Sequence, residues 1–452
     1  MHGPPSALDA PPPRRGRLGR ALRGGKFAGR ALTFADQGIS SASNMLLSVS
    51  IASGVSAAVF GEFALIYSIY WLLLGGTRAA VLDPLLIVQH NTLKDAPVHS
   101  IAALSATAVG ALGIPIGLAL LLTPLDVAWA VFFLGLPVLL LQDALRYVGF
   151  LADRPGRVVL LDGVWLVVMV GATVLAVTGV ISGTAAVLGL WVLGALLANL
   201  LGLLLLRVRF ARLHLRRRLR EIWPVSGPLL GDFALSNGAS QLTVFLLPLV
   251  ASTALLGSFK AAQVANGPLN ITVAAATVIC LPMVARAVDS PSGRAVALRI
   301  GLFASAALAG VAVVYGGALA LLPEDAGRAL FGQSWGSGLL VAAVSVQMVL
   351  FGITHGALLA LRGSSNTRAA LWVRVIVTPI ALVVPLLFTA LWGRTGLMAG
   401  ILVAAAAMSL VSWIAAVRVI RGGSRTDAEQ DPEPVPATSG HDPVAGALPA
   451  AP

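Results

Sequence analysis

The sequence predicts an all-α polytopic membrane protein, with about 12 transmembrane helices in two six-helix lobes around a central cavity. Three observations lead there. The chain is 57% hydrophobic and only 11% charged, whereas soluble globular chains carry about 25% charged residues. So much apolar surface needs lipid as its solvent. The apolar residues gather into twelve continuous segments, each long enough to cross roughly 30 Å of hydrocarbon. Finally, the opening of the first segment is echoed by the opening of the seventh.

The segments span approximately 31–54, 61–88, 99–122, 127–150, 158–179, 184–206, 226–252, 257–285, 296–321, 337–361, 370–392 and 396–418. A closed barrel would alternate apolar and polar residues at period two, and these runs do not. The second and eighth run long and are expected to tilt or bend. The lone Cys280 excludes an internal disulfide.

Lys and Arg orient the chain. With the N-terminus cytoplasmic, 27 of the 31 fall on the inner side and only Arg328 and Arg394 on the outer side. Arg78 and Lys260 lie inside segments. One miscounted helix would destroy this split, so both termini are placed in the cytoplasm. The parts are then a basic, Pro-rich cytoplasmic tail (1–30), an N-terminal lobe (31–206), a basic linker (207–222), a C-terminal lobe (223–420) and a disordered tail (421–452). The linker reads either as an anionic-lipid patch or as a topogenic connection. It is poor grounds for a nucleic-acid partner, and none is expected.

The echo runs at a constant offset of 196 residues. Seven of 29 positions are identical: Asp36/Asp232, Ser40/Ser236, Leu46/Leu242, Ser56/Ser252, Ala58/Ala254, Gly61/Gly257 and Phe63/Phe259. An even number of helices per repeat gives both halves the same topology about an axis along the membrane normal. Duplication of this kind points towards transport.

Asp36, Ser40, Asn44 and Ser48 share a face of the first helix, and Asp232, Ser236 and Ser240 the equivalent face of the seventh, with Asn237 and Gln241 alongside. Two readings are open: helix-joining polar groups with interfacial Asp caps, or polar walls of a cavity that also couple an ion. On the second helix Tyr67, Trp71, Leu74 and Arg78 share a face. The facing stretch presents Lys260, Gln263, Gly267, Asn270 and Ala274. Arg78 lies roughly 24 Å along its helix from Glu62. An intramembrane Arg costs about 2.5–3.5 kcal/mol even on the gentlest scale, so it faces water, a partner or an anion. The alternatives for Arg78 are snorkelling or a pair with Asp83. Its guanidinium suits phosphate oxygens, and the aromatic face suits a sugar. Asp143 with Arg146, and Arg157 with Asp162, read as structural ion pairs. Gly194/Ala198/Gly202 and Gly301/Ser305/Ala309 read as helix packing. No GxxxxGK[ST], HExxH or CxxC motif is present, so no catalytic residue, metal site or ATP hydrolysis is expected.

With Asp36-Gln37, Ser40 and Asn44, Phe60-Gly61-x-Phe63-Ala64-Leu65, Arg78-Ala79, Pro84, Arg146-Tyr147 and Asp162-x-x-Trp165, the chain resembles the multidrug/oligosaccharidyl-lipid/polysaccharide (MOP) exporter superfamily. Within it, the likeness is to the O-antigen-type polysaccharide flippases. The resemblance implies two lobes around a cationic cavity that move a lipid-linked saccharide from the inner to the outer leaflet of a bacterial plasma membrane. The substrate-binding candidates are Arg78, Lys260, Tyr67, Trp71, Gln263 and Asn270; the polar-lining or ion-coupling candidates are Asp36, Ser40, Asn44, Asp232, Ser236 and Gln241. The expected partners are the lipid-linked saccharide, membrane lipids and other polysaccharide-assembly proteins. No cofactor is expected beyond H⁺ or Na⁺ coupling. The competing readings are an H⁺- or Na⁺-coupled multidrug or metabolite antiporter and, third, a membrane polysaccharide polymerase or ligase.

Overall fold

The computed structural model describes residues 15–88, 98–208, 215–288, 293–364 and 367–422, with no strand among the described residues. The tails before Arg15 and after Gly422, Lys94, and 209–214 of the basic linker lie outside them. α1 (Arg15–Ala52) carries the first segment, and α2 (Ala57–Thr77) runs through a π-turn (Arg78–Leu82) into α3 (Asp83–Val88). α4 (Val98–Ala111) with α5 (Gly113–Leu120), then α6 (Val127–Leu151), α7 (Pro155–Val177) and α8 (Thr184–Leu206) complete the first half. The second half opens with α9 (Leu215–Phe233), a π-turn (Ala234–Gly238) and α10 (Ala239–Val250). It continues with α11 (Thr253–Ala265), α12 (Leu269–Val288), α13 (Gly293–Ala320), the short α14 (Glu324–Phe331), α15 (Gly338–Gly363) and α16 (Thr367–Gly422).

Ten helices among the described residues are long and apolar enough to span a membrane. α1 adds another. The last is two spans, because Gly393 sits at φ 58°, outside the helical region, and turns the chain inside α16. The protein is thus multi-pass, with about twelve helices in two lobes. Within the first lobe α1 packs on α7, α6 on α4 and α8, and α7 on α8. Within the second, α13 packs on α15, α15 on α16, and α10 on α16.

The eighth segment does more than bend. α11 stops at Ala265, and Gly267 and Pro268 intervene before α12. The break frees the Ala265 carbonyl, because the Leu269 amide bonds to the Asn266 carbonyl instead, and a backbone group left unpaired in lipid would cost several kcal/mol. The protein fills the gap. Tyr315 donates its hydroxyl to the Ala265 carbonyl at 2.8 Å, Ser345 donates to Asn266 Oδ1 at 3.1 Å, and Asn266 itself is fully buried. The break corrects the expectation that Lys260, Gln263, Gly267, Asn270 and Ala274 line one continuous face: the first two belong to α11 and Asn270 and Ala274 to α12.

The residues of the echo acquire matching tasks. Ser56 accepts from the Val59 amide at 3.4 Å as the N-cap of α2, and Ser252 accepts from the Leu255 amide at 3.2 Å as the N-cap of α11. α2 and α11 form the main contact between the lobes, and Gly61 and Gly257 lie at their crossing. A Cβ on Gly61 would collide with the Thr253 carbonyl oxygen, and one on Gly257 with that of Ala57. Thr253 follows Ala57 by 196 residues, the offset of the repeat. One contact is therefore made twice about a pseudo-two-fold axis.

The small-residue triplets pack as expected. Gly194 lies under the Trp165 ring, Gly202 against Leu161 and Leu145, and Gly301 against the Gly356 carbonyl. Trp165 donates to the Trp191 carbonyl at 2.9 Å, and Tyr67 and Tyr70 pack on the Trp191 ring at 6.5 and 4.9 Å. On the membrane side opposite the start of α1, Gly332 at φ 53° rests against the Ala52 and Ser53 carbonyl oxygens. Together with the α2–α11 crossing, this joins the two lobes on that side.

Gly61→Ala and Gly257→Ala should each lower stability by about 1–3 kcal/mol, the usual cost of forcing an atom into a closed contact. Gly163→Ala, at a glycine of α7 with open space around it, should leave stability unchanged or raise it by up to about 1 kcal/mol. Thermal unfolding of the detergent-solubilised protein reads both.

Candidate functional site

Charged residues buried in the first lobe form one network centred on Arg146 of α6. Its Nη2 donates to Asp36 Oδ2 of α1 at 2.6 Å, and its Nη1 to Asp143 Oδ1, one turn away on α6, at 3.4 Å. Its Nε lies 3.1 Å from Asp162 Oδ2 of α7. Gln142 Nε2 donates to the other oxygen of Asp162 at 2.7 Å. Arg78 closes the far end of the network, its Nε on Asp143 Oδ2 at 2.8 Å and its Nη2 on Oδ1 at 2.5 Å. Three carboxylates thus face two guanidinium groups. With every group ionised, one negative charge is in excess among these residues.

The π-turn explains how Arg78 reaches this site. Its closing bond runs from the Asp83 amide to the Arg78 carbonyl, five residues back. In an α-helix residues five apart point about 140° apart at 3.6 per turn; the wider turn brings Arg78 and Asp83 towards the same side. There they meet Asp143 and Tyr147, which are stacked four apart on α6: Tyr147 donates to Asp83 Oδ1 at 2.8 Å, and its ring centroid lies 5.8 Å from the Arg78 guanidinium carbon. Arg78 therefore pairs with Asp143, not with Asp83.

Of the two structural pairs expected, Asp143–Arg146 forms and Arg157–Asp162 does not. Arg157 and Asp162 are five apart on the ordinary helix α7 and point different ways. Arg157 instead donates to the Leu205 carbonyl of α8, and Arg146 takes Asp162. Asp36 is no interfacial cap: it lies inside α1 with 1% of its surface exposed. Its repeat partner Asp232 has 50% of its side chain exposed and accepts from Arg374 Nη1 of α16 at 2.7 Å.

Between the lobes, the structure brings together two residues that the sequence placed on opposite walls. Lys260 Nζ of α11 lies over the Tyr67 ring of α2, 5.3 Å from its centroid. Trp71 is edge-on to Tyr67 at 6.2 Å and 38% exposed. Gln263 is half-buried one turn beyond Lys260, while Asn270, past the break, is exposed. Along the polar stripes Ser40, Asn44, Ser236 and Gln241 are half-buried. Ser236 returns its hydroxyl to the Asp232 carbonyl at 2.6 Å, and Ser48 to that of Asn44 at 3.1 Å.

Sequence reasoning missed Arg146 as the hub, Gln142, Arg374 and both π-turns. A signal for the first two was present: Gln142, Asp143, Arg146 and Tyr147 form a polar cluster inside an apolar segment, where ionisable groups must pair or face water.

Removing one partner of a buried ion pair costs about 3–5 kcal/mol, much of it from the charge left behind. Arg78→Met should thus destabilise the protein by about 3 kcal/mol, while Arg78→Met/Asp143→Leu should lose less than the single variant. Thermal melting of the four proteins in a double-mutant cycle gives the coupling.

No protein-family profile matches the sequence, and no curated protein is similar to it. Solved structures are similar in fold. The lipid II flippase MurJ in an inward closed conformation superposes with a TM-score of 0.62 at 10% identity, covering 87% of each chain. A multidrug resistance MATE family transporter of the MOP superfamily matches in its inward-facing conformation with a TM-score of 0.59 at 15% identity, covering 86% of this chain and 96% of that one. An outward-facing conformation of such a transporter gives 0.54 at 14% identity, covering 87% and 95%. The chain has the two-lobed fold shared by the MATE transporters of the MOP superfamily and the lipid II flippase MurJ.

Proposed function

We propose that this protein is a flippase that carries a polyprenyl-diphosphate-linked saccharide from the inner to the outer leaflet by alternating access. The observation that carries the proposal is the wall between the lobes, where the Lys260 ammonium lies over Tyr67 beside the exposed Trp71. A cation and aromatic faces side by side suit a substrate that joins an anion to a sugar. The fold likeness to MurJ supports a lipid-linked substrate. In this scheme the N-terminus is cytoplasmic, the side joined by the α2–α11 crossing is the outer one, and the polyprenyl chain stays in the bilayer. Arg78 spends Nε and Nη2 on Asp143 and offers the diphosphate its Nη1 edge. The role is transport, without a catalytic residue of its own, and other polysaccharide-assembly proteins are its functional neighbours.

A second reading, the cation-coupled multidrug antiporter, draws on a different observation. The excess carboxylate among Asp36, Asp143 and Asp162 leaves room for a proton or a small monovalent cation in the first lobe. Such coupling would equally drive a flippase, so the substrate decides between the two.

Lys260→Gln keeps the size and loses the charge at a position that anchors no salt bridge among those described. Because a hydrogen bond to a charged group is worth about 1.5–3 kcal/mol, transport should fall about ten-fold or more. The readout is the leaflet distribution of lipid-linked saccharide, measured in cells with matched protein levels. Unchanged flipping, together with cation-dependent drug efflux, would move the assignment to the antiporter.

A further inference from the structure

The second lobe holds a charge cluster of the opposite sign, at the membrane side where α1 begins. Arg374, near the start of α16, donates through Nη1 to Asp232 Oδ1 at 2.7 Å. Arg362, in the last turn of α15, is half-buried and lies within electrostatic reach of both Arg374 and Asp232. His355, two turns earlier on α15, shares a 2.8 Å hydrogen bond with Thr277 of α12 and lies within electrostatic reach of the same two arginines. Among the described residues Arg374 alone pairs with this carboxylate, Arg362 stands in the same electrostatic neighbourhood, and the carboxylate has half of its side chain exposed. The first lobe shows the reverse, three carboxylates on two guanidinium groups.

The surroundings indicate what the spare positive charge meets. Asp232, Asn237 and Ser240 are exposed along α9, the π-turn and α10. Exposed polar groups in a membrane-spanning run face water or a polar ligand rather than acyl chains. Arg374 lies seven residues into α16 and Arg362 one residue from the end of α15, which places their backbone within about 10 Å of the helix ends. Trp372, on the same end of α16, is 60% exposed, as suits an indole at the headgroup level. This is the depth at which the headgroup of a lipid in that leaflet sits.

We propose that Arg362 and Arg374 form a diphosphate-binding loading site at the inner-leaflet mouth of the second lobe, with Asp232 as the internal counter-ion that the substrate displaces. The assignment rests on the flippase reading and adds to it the place where the headgroup first lands. Guanidinium groups bind phosphoryl oxygens in pairs, and a diphosphate offers enough oxygens to engage both arginines at once. The carboxylate keeps Arg374 aligned while the site is empty and competes with the incoming anion.

The test is a binding titration of the full chain in nanodiscs with farnesyl diphosphate, alongside inorganic pyrophosphate, farnesol and phosphatidylglycerol. Farnesyl diphosphate should bind to the wild type, and more weakly by about ten-fold or more to Arg374→Gln and to Arg362→Gln. Asp232→Asn removes the competitor and should tighten binding several-fold, a gain that misfolding cannot imitate. Pyrophosphate should compete and farnesol should not. Undiminished affinity in both arginine variants with loss in Arg78→Gln would overturn the loading site and leave the flippase reading standing. Equal competition by phosphatidylglycerol would make the occupant a bulk-lipid headgroup and overturn the diphosphate assignment. No binding of farnesyl diphosphate to the wild type would overturn both.

Discussion

The first lobe depends on one constraint: Arg146 cannot stand uncompensated in a medium from which water is excluded. Desolvating an ion costs several kcal/mol, offset only while its partners remain at hydrogen-bonding distance. Those partners come from α1, α6 and α7, and Asp143 passes the linkage on to Arg78 at the π-turn after α2. Four segments of the chain are thereby held at one depth. None can slide past another without stranding a charge. The second lobe reaches cohesion by other means. Its helices close on small residues, such as Gly301 on Gly356 and Gly352 on Leu308, and on hydroxyl contacts such as Thr354 with Ser409 at 2.9 Å.

Contacts between the lobes are weaker in kind. A cation over an aromatic ring is worth about 0.5–2 kcal/mol, and the glycine crossing is close packing with no charge in it. Breaking these costs less than opening the Arg146 network.

Much of this was legible in the sequence because hydropathy and charge distribution are local. The twelve segments and the echo at 196 residues could be read directly. Ser56/Ser252 and Gly61/Gly257, four of the echoed residues, became paired caps and a paired crossing. What stayed hidden depended on partner choice at long range. Asp36 and Asp232 are equivalent by repeat, yet one is sealed beneath Arg146, 110 residues away in sequence, and the other meets Arg374, 142 away. Neither distance leaves a mark in a single sequence. The π-turn is hidden for a second reason: one inserted residue changes which side chains share a face, and hydropathy does not register it. Counting faces at 3.6 residues per turn is therefore valid up to Arg78 and misleading beyond it.

The glycine crossing has a consequence for ancestry. Because Gly61 meets Thr253 as Gly257 meets Ala57, the contact is self-complementary, the property of an isologous two-fold interface. A single six-helix half carrying this glycine could close on a second copy of itself through the same surfaces, both inserted in the same direction. Fusion of the two copies would preserve the joint while freeing the rest of each half to diverge. That divergence is visible at Asp36 and Asp232, where one duplicated carboxylate now serves the interior of its lobe and the other its mouth.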